Sequence, residues 1–293
     1  VTRKRCWQYD WVVEFDVKGA FDSLPHALLL KALGHHVSER WVLLYIERWL
    51  QAPFVTADGS EVAREAGTPQ GGVVGPLLMN LFMHYAFDCW MGRRHADCPF
   101  ARFADDAVVH CRTRAQADAV LAQIDERLQS CGLTLHWGKS KVVYCRDSNR
   151  RAVYEHTQFT FLGYCFRPRC APAGDGSAFT SFQPAVSGAA KTRIRQRIRS
   201  WHIRRRTEST IVDLARQFNP VLRGWIAYYG AFYKQELRCV LKHFNYKLLL
   251  WAQHKYRRLR RRRRRAREWL AQVHAQMPNL FVHWTVFPAD LAS

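Results

Sequence analysis

The chain has 293 residues, 48% apolar and 13% aromatic, enough to bury the core of one large domain or two modest ones, which excludes a wholly disordered polypeptide. Its 45 Lys and Arg outnumber 24 Asp and Glu, giving a formal charge of +21. The excess is lopsided: residues 1–190 carry 21 basic and 19 acidic side chains, whereas residues 191–293 carry 24 and 5. A near-neutral front and a strongly basic back point to a catalytic body joined to a polyanion-binding module, in preference to a surface that is basic only for solubility.

Taken in chain order, residues 11–15 read as a short β-prone run ending at Asp16. Ser23 and Pro25 open a helix that runs through Leu33 and stops at Gly34, and a second helix covers 38–50. Pro76 begins an apolar helix expected to end before Gly92. The surrounding stretch 73–91 is broken by Asn80, His84 and Asp88, so it falls short of the roughly 18 uninterrupted apolar residues of a membrane span. Residues 100–111 read as two strands around a tight turn at 104–106. Thr113 then caps a helix whose apolar face is Ala117, Val120, Leu121, Ile124 and Leu128, with Gly132 as its stop. Strands are expected at 133–136, 142–145 and 159–166, a loop at 170–178, and helices from Ser187 onward.

Nine scattered cysteines, an odd number with no CxxC pair, suit reduced thiols better than a zinc site or a disulfide framework. No secretory signal is visible, and a bacterial cytoplasmic, nucleic-acid-associated location without membrane contact is expected.

Three front-half segments carry chemistry. Asp16 ends a buried strand, Asp105 and Asp106 occupy a hairpin tip, and a glycine-rich loop at 67–72 leads into the apolar helix. Adjacent aspartates at a turn are ordinarily turn chemistry. A third carboxylate on a neighbouring strand changes the reading, because clustered like charges require raised pKa values or bound cations. Two Mg²⁺ ions shared by carboxylates are the usual arrangement for in-line phosphoryl transfer.

The ordered runs DVKGAFDSLPH (16–26), GTPQGGVVGPLL (67–78), FADD (103–106), GLTLHWGKSK (132–141) and FLGYCFRPR (161–169) resemble the palm motifs of the group II intron-encoded reverse transcriptase/maturase family. NPVLRGWIAYYGAFYK (219–234) and LFVHW (280–284) resemble its maturase-specific thumb. The resemblance implies an α+β fold: a reverse-transcriptase palm, an antiparallel sheet with packed helices, over 1–169, a linker over 170–186, and a basic α-helical thumb/maturase domain over 187–293. It implies an RNA-directed DNA polymerase that uses two Mg²⁺ ions and dNTP substrates on an RNA template with a DNA primer, and that also binds intron RNA and assists splicing. Asp16, Asp105 and Asp106 would be catalytic metal ligands. Phe21 would gate the ribose 2′-OH, Gln70 would contact the incoming nucleotide, and Lys139 would help neutralise pyrophosphate. Phe161, Leu162, Gly163 and Tyr164 would form the primer grip.

The sequence departs from the family at FADD, where YADD is commoner, at Gly75 for Ser and at Gly138 for Glu; none of these removes a carboxylate. The first palm motif begins fifteen residues in, so the fingers subdomain that precedes it in the family is expected to be missing. The alternative reading is therefore an RNA-binding maturase fragment without polymerase activity of its own. A metal-dependent nuclease would share the carboxylates but leave Phe21 and Gln70 without a role.

In the basic back, Trp225, Tyr228, Tyr229 and Phe232 fall on one helical face, which at that spacing reads as core. Arg204, Arg205 and Arg206 close a first basic stretch. Arg260, Arg261, Arg262, Arg263, Arg264 and Arg265 are the centre of a second, with nine arginines in the eleven residues 257–267. On one helix they would surround it, which suits phosphate contacts with RNA and not base reading.

Overall fold

The computed structural model describes residues 1–56, 58–69 and 72–287. The chain divides into two compact units, Val1–Leu162 with Arg167–Phe182, and Gly163–Phe166 with Gln183–Ser293.

The first unit begins with α1 (Thr2–Gln8) and β1 (Trp11–Phe15). The helices α2 (His26–Leu33) and α3 (Arg40–Gln51) follow, then the two-stranded ribbon of β2 (Phe54–Val55) and β3 (Glu61–Val62). Next come α4 (Gly75–Met83) and α5 (Cys89–Arg94), joined by a π-helical turn over His84–Asp88. Thus Gly92 does not stop this helix. A glycine inside a helix costs only about 1 kcal/mol, and buried Phe87 and Met91 carry the helix past it to Arg93 and Arg94 in the last turn.

The strands β4 (Phe100–Phe103) and β5 (Asp106–Cys111), the helix α6 (Arg114–Ser130) and the strand β6 (Lys141–Tyr144) complete the palm-like core. The antiparallel sheet has the order β4-β5-β1-β6. Thr113 caps α6 through the Gln116 N–H at 3.1 Å, and the expected apolar face of α6 packs on the sheet. Residues 133–136 do not form a strand. They make a single bridge, Leu135 to Val17, because their main chain is spent on turns and on the segment that follows β1.

The third sheet is β7 (Phe159–Phe161), β8 (Tyr164–Pro172) and β9 (Ala178–Val186). The expected loop at 170–178 and the linker at 170–186 are corrected here: only the tip between Pro172 and Ala178 is irregular. Ser181, Phe182, Ala185 and Val186 are buried, and that burial makes β9 a strand despite the glycines and prolines before it.

The second unit is helical: α7 (Gly188–Ser200), α8 (Ile211–Tyr229), α9 (Gln235–Lys255), α10 (Arg263–Gln276) and α11 (Val282–Val286). Ser187 caps α7, and Thr210 with Asp213 forms a capping box on α8. In the core of this unit Trp201 stacks on Phe218 at 4.4 Å and on Trp225 at 5.5 Å. Buried Asn245 anchors α11: its Oδ1 lies 2.6 Å from His283 Nε2 and accepts from Trp284 Nε1 at 3.1 Å. Burial pushes the His283 imidazole down to about 3, so it is neutral. Among the described residues no helix is long and apolar enough to cross a membrane.

Candidate active site

The antiparallel register of β1 and β5 pairs Phe15 with Ala107 and Glu14 with Val108. Continued by one residue, it sets Asp16 directly opposite Asp106. Because side chains alternate along a strand, Glu14, Asp16 and Asp106 share one face of the sheet. Asp105 sits beside them in the two-residue connection that Phe103 and Asp106 close. At that tip Ala104 adopts a φ of 55°, an uncommon conformation for a residue with a Cβ.

Arg102 holds the tip. Its Nη1 donates to the Ala104 carbonyl at 2.8 Å, and its guanidinium forks onto Asp88, with Nε to Oδ1 at 2.7 Å and Nη2 to Oδ2 at 2.5 Å. Asp88 is the last residue of the π-helical turn. Neither Arg102 nor Asp88 is marked by the sequence reasoning, since a lone Arg in a strand and a lone Asp in a helix carry no pattern. Glu14 is also missed, although its place two residues before Asp16 is a signal at the strand period.

The electrostatics follow from this crowding. Burial, then the charges of Glu14, Asp16 and Asp105, push the Asp106 carboxyl up to about 6, against a hydrogen bond from the Leu162 main chain. Burial also raises Glu14, whose Oε1 accepts from Thr160 N at 2.9 Å and whose Oε2 lies 3.2 Å from Lys141 Nζ.

Lys139 reaches the site although it lies 123 residues from Asp16 in sequence. The segment after α6 is laced to the end of β1: Lys18 N donates to Thr134 O at 2.8 Å and His136 N to Asp16 O at 2.8 Å. A turn at 136–140 then places Lys139 Nζ 2.7 Å from Asp16 Oδ2. The hydrogen bond and the charge of Asp16 raise the ammonium's pKa.

Phe21 is half-buried against the apolar core, and its carbonyl accepts from Thr68 N at 2.7 Å. Gly67, at φ 82°, lies so close to the chain that a Cβ there would meet the Asp22 backbone at 2.7 Å, which accounts for glycine at that position. Gln70 lies outside the described residues.

Of the remaining candidates, Phe161 and Leu162 belong to the first unit and Gly163 and Tyr164 to the second. Tyr164 sits among Tyr228, Tyr229 and Phe232 at ring separations of 5.4, 5.6 and 5.5 Å, and its hydroxyl donates to the Tyr228 carbonyl. The expected aromatic face is packed only in part: Trp225, Tyr229 and Phe232 are half-buried, Tyr228 is exposed, and Phe232 lies beyond the end of α8.

The arginines divide as well. Arg204 and Arg205 are exposed, whereas Arg206 is committed internally: Nε to Trp201 O at 2.9 Å, Nη1 to Gln217 Oε1 at 3.0 Å, and the guanidinium 5.6 Å from the Phe218 ring. Arg260 to Arg265 are all exposed. They do not lie on one helix. A 3₁₀ turn over Arg257–Leu259 gives way to Arg261 at φ 60°, and α10 starts only at Arg263. Buried Leu259 and Ala266 pin both ends of the tract to the core, and the arginines between them turn outward.

Among the described residues no three His, Cys, Asp or Glu side chains converge as a complete metal cage. The donor set nonetheless fits a hard divalent cation of the Mg²⁺ type, which takes only one or two carboxylates and completes its shell with water and substrate phosphates. Crowded carboxylates, one held neutral to about pH 6, are what such a cation would relieve.

The sequence pattern of reverse transcriptase (RNA-dependent DNA polymerase) matches residues 2–166, and that of the group II intron maturase-specific domain matches residues 191–269. Protein YkfC of Escherichia coli is 26% identical over 187 residues, covering 53% of this chain and 46% of YkfC. The group II intron-encoded protein LtrA of Lactococcus lactis is 32% identical over 74 residues, covering 25% of this chain and 12% of LtrA. The chain therefore spans less than half the length of these curated relatives. Among solved structures, telomerase from Candida albicans in complex with a fragment of telomeric RNA aligns at 13% identity and a TM-score of 0.44, covering 87% of this chain and 49% of that one.

Proposed function

The chain belongs to the reverse transcriptase (RNA-dependent DNA polymerase) family, and from that premise we propose that it extends a DNA primer with dNTPs on an RNA template and, through its maturase-specific unit, binds intron RNA and assists splicing. The observation that carries this reading is the register that sets Asp16 across from Asp106, with Asp105 at the adjoining tip.

In this reading Asp16, Asp105 and Asp106 would hold two Mg²⁺ ions, which would supply charge stabilisation for phosphoryl transfer. Lys139 keeps a positive charge at Asp16 and meets the charge of the leaving pyrophosphate. Phe21 lies under the incoming sugar and excludes a 2′-OH by its bulk. Gln70 contacts the nucleotide, and Phe161, Leu162, Gly163 and Tyr164 guide the primer end. The exposed Arg204, Arg205 and Arg260 to Arg265 bind phosphates. Arg206, being committed within its own unit, is left out of that set.

The test is primer extension on an RNA template with dNTPs and Mg²⁺, run on this chain and on its Asp105→Ala variant. Template-dependent addition that Asp105→Ala abolishes, with RNA affinity retained, is the expected result. A chain that binds intron RNA and promotes splicing but extends no primer is a maturase without polymerase activity.

A further inference from the structure

A second charged constellation lies at the other end of the same central sheet, and the polymerase reading does not use it. β1 and β6 are antiparallel, with Glu14 beside Lys141 and Trp11 beside Tyr144, so the chain leaves β6 at the end remote from Asp16. At roughly 3.3 Å per residue, the length of β1 puts about 15 Å between the two ends. There the segment after β6 and the outer part of the β8–β9 hairpin, all within the first unit, border an open cavity of about 480 Å³. Arg146, Ser148, Arg151, Arg169, Cys170 and Thr180 line it.

The charge balance of the cavity is positive. Its one acidic lining residue, Asp147, is neutralised from behind by Arg150, whose Nε donates to Asp147 Oδ2 at 3.0 Å and whose Nη2 bonds the same oxygen. Burial alone would raise the Asp147 carboxyl, but the Arg150 hydrogen bonds and charge outweigh it and leave it lowered, hence ionised and paired. Arg150 is itself fixed by Asp10 Oδ1 at 3.2 Å and by the carbonyls of Tyr9 and Cys6 at 3.0 and 2.9 Å. Three guanidinium groups therefore line the cavity, with no second carboxylate among them.

The walls are pre-set. Ser148 N donates to Thr180 O at 2.9 Å, Thr180 N donates to Ser148 Oγ at 2.8 Å, and Arg151 Nε donates to Ser148 O at 2.7 Å. Arg146 and Arg151 are exposed at the rim and Arg169 is buried at 6% exposure. Guanidinium groups present planar N–H forks that match phosphate oxygens, and a fixed wall lowers the ordering cost of binding.

We propose that this cavity is a phosphate-binding pocket that seats a backbone phosphate of bound RNA, away from the carboxylate centre. It rests on the reading above only for the source of the phosphate. A free oligophosphate offers the same chemistry, so the experiment separates the two sources.

Cys170 is exposed and lines the cavity, so it is a built-in reporter. Its alkylation rate by iodoacetamide, read by peptide mass spectrometry on the full chain, is compared with and without structured RNA and with and without millimolar inorganic pyrophosphate. RNA should slow alkylation several-fold. In an Arg146→Gln/Arg151→Gln double variant that melts like wild type, the protection should vanish, and the slope of log K for RNA against log salt should fall by roughly 0.7–0.9 per lost contact. Because both arginines are exposed, the variant is expected to fold; single Arg146→Gln gives the same reading at half the slope change. Protection by pyrophosphate but not by RNA keeps the pocket and overturns RNA as its source. Cys170 that stays fully reactive under both overturns the pocket, whether or not RNA is held by Arg260 to Arg265. The polymerase reading is judged separately, by primer extension, and can fail while Cys170 protection persists.

Discussion

The two units hold their candidate functional groups by opposite means. In the first, strand pairing makes Asp16 and Asp106 face each other, because Phe15 pairs with Ala107, and the Arg102 side chain ties the turn that carries Asp105. In the second, the exposed arginines sit between two buried anchors, Leu259 and Ala266, on a stretch that is partly irregular. A paired strand fixes side chains to a fraction of an ångström, as metal-assisted phosphoryl transfer demands. A fringe of exposed cations needs only to stay near a polyanion, because phosphate neutralisation adds contact by contact. Damage to the first should therefore be all-or-none, and damage to the second graded.

The sharpest way to break that contrast is Asp105→Ala. Removing one proposed metal ligand should lower the rate of nucleotide addition by roughly 10²–10³-fold or more, the scale of losing one preorganised electrostatic partner of the transition state. RNA affinity, measured by filter binding, should hardly move. Substantial polymerase activity in this variant would remove the carboxylate assignment.

The graded half is tested by replacing Arg260 to Arg265 with Gln stepwise. Each lost phosphate contact should flatten the log K against log salt slope by roughly 0.7–0.9, so the full set should flatten it by up to about 4–5. Arg263, 5.7 Å from the Tyr246 ring, and Arg264, 3.0 Å from Glu268, already have partners and should contribute least. Arg206→Gln is the control: it should lower the melting temperature by loosening Trp201 and Gln217 while leaving the slope unchanged. A single abrupt collapse of binding at one arginine would contradict a distributed contact.

How much of this was legible beforehand follows the same division. The strand at 11–15, the hairpin around a turn at 104–106, which the structure narrows to 104–105 because Asp106 pairs with Phe103, and the helix capped by Thr113 are local and legible in the sequence, with propensity, period and cap in agreement. Lys139 at Asp16 spans 123 residues, and only the resemblance to known palm motifs, not any spacing, could place it there. The Arg102–Asp88 fork depends on a π-helical turn that no period announces. The β8–β9 hairpin is not legible in the sequence, because Pro172, Gly174 and Gly176 look like loop chemistry, whereas tertiary burial of Phe182 and Val186 decides the matter. The arginine tract reads as a helix by composition, since Arg is a good helix former. Arg261 in the left-handed region shows the tertiary anchors overriding propensity.

A smaller effect is expected at Phe21, which is half-buried against the core. If its ring lies under the sugar, Phe21→Val should raise incorporation of rNTP relative to dNTP on one template. Its packing against the core predicts a parallel loss of stability of about 1–3 kcal/mol in thermal or urea unfolding. A less stable variant with unchanged sugar selectivity would assign Phe21 to the core alone.

The smallest effect concerns the charge of Asp106 itself, and its sign is distinctive. An aspartate near 3.8 when unfolded and about 6 when folded binds its proton more tightly in the native state. Its contribution to stability is therefore fully present below about pH 3.8 and is lost as pH rises through about 6. Above that, the ionised carboxyl is a burden beside Glu14, Asp16 and Asp105. Asp106→Asn, which keeps the shape and removes the charge, should stabilise the chain at pH 7.5 by about 1–2 kcal/mol once solvent screening is allowed for, and should have little effect at pH 4. Added Mg²⁺ should narrow the difference at pH 7.5, because an ion that binds the native carboxylates stabilises wild type by mass action and gains less from the amide. Urea unfolding of both proteins at the two pH values, with and without Mg²⁺, reads all of this in one series. A variant that is destabilised equally at both pH values would mean that Asp106 is held for its hydrogen bond with Leu162 and not strained by its neighbours' charge, and the case for a cation-hungry cluster on this face of the sheet would fall with it.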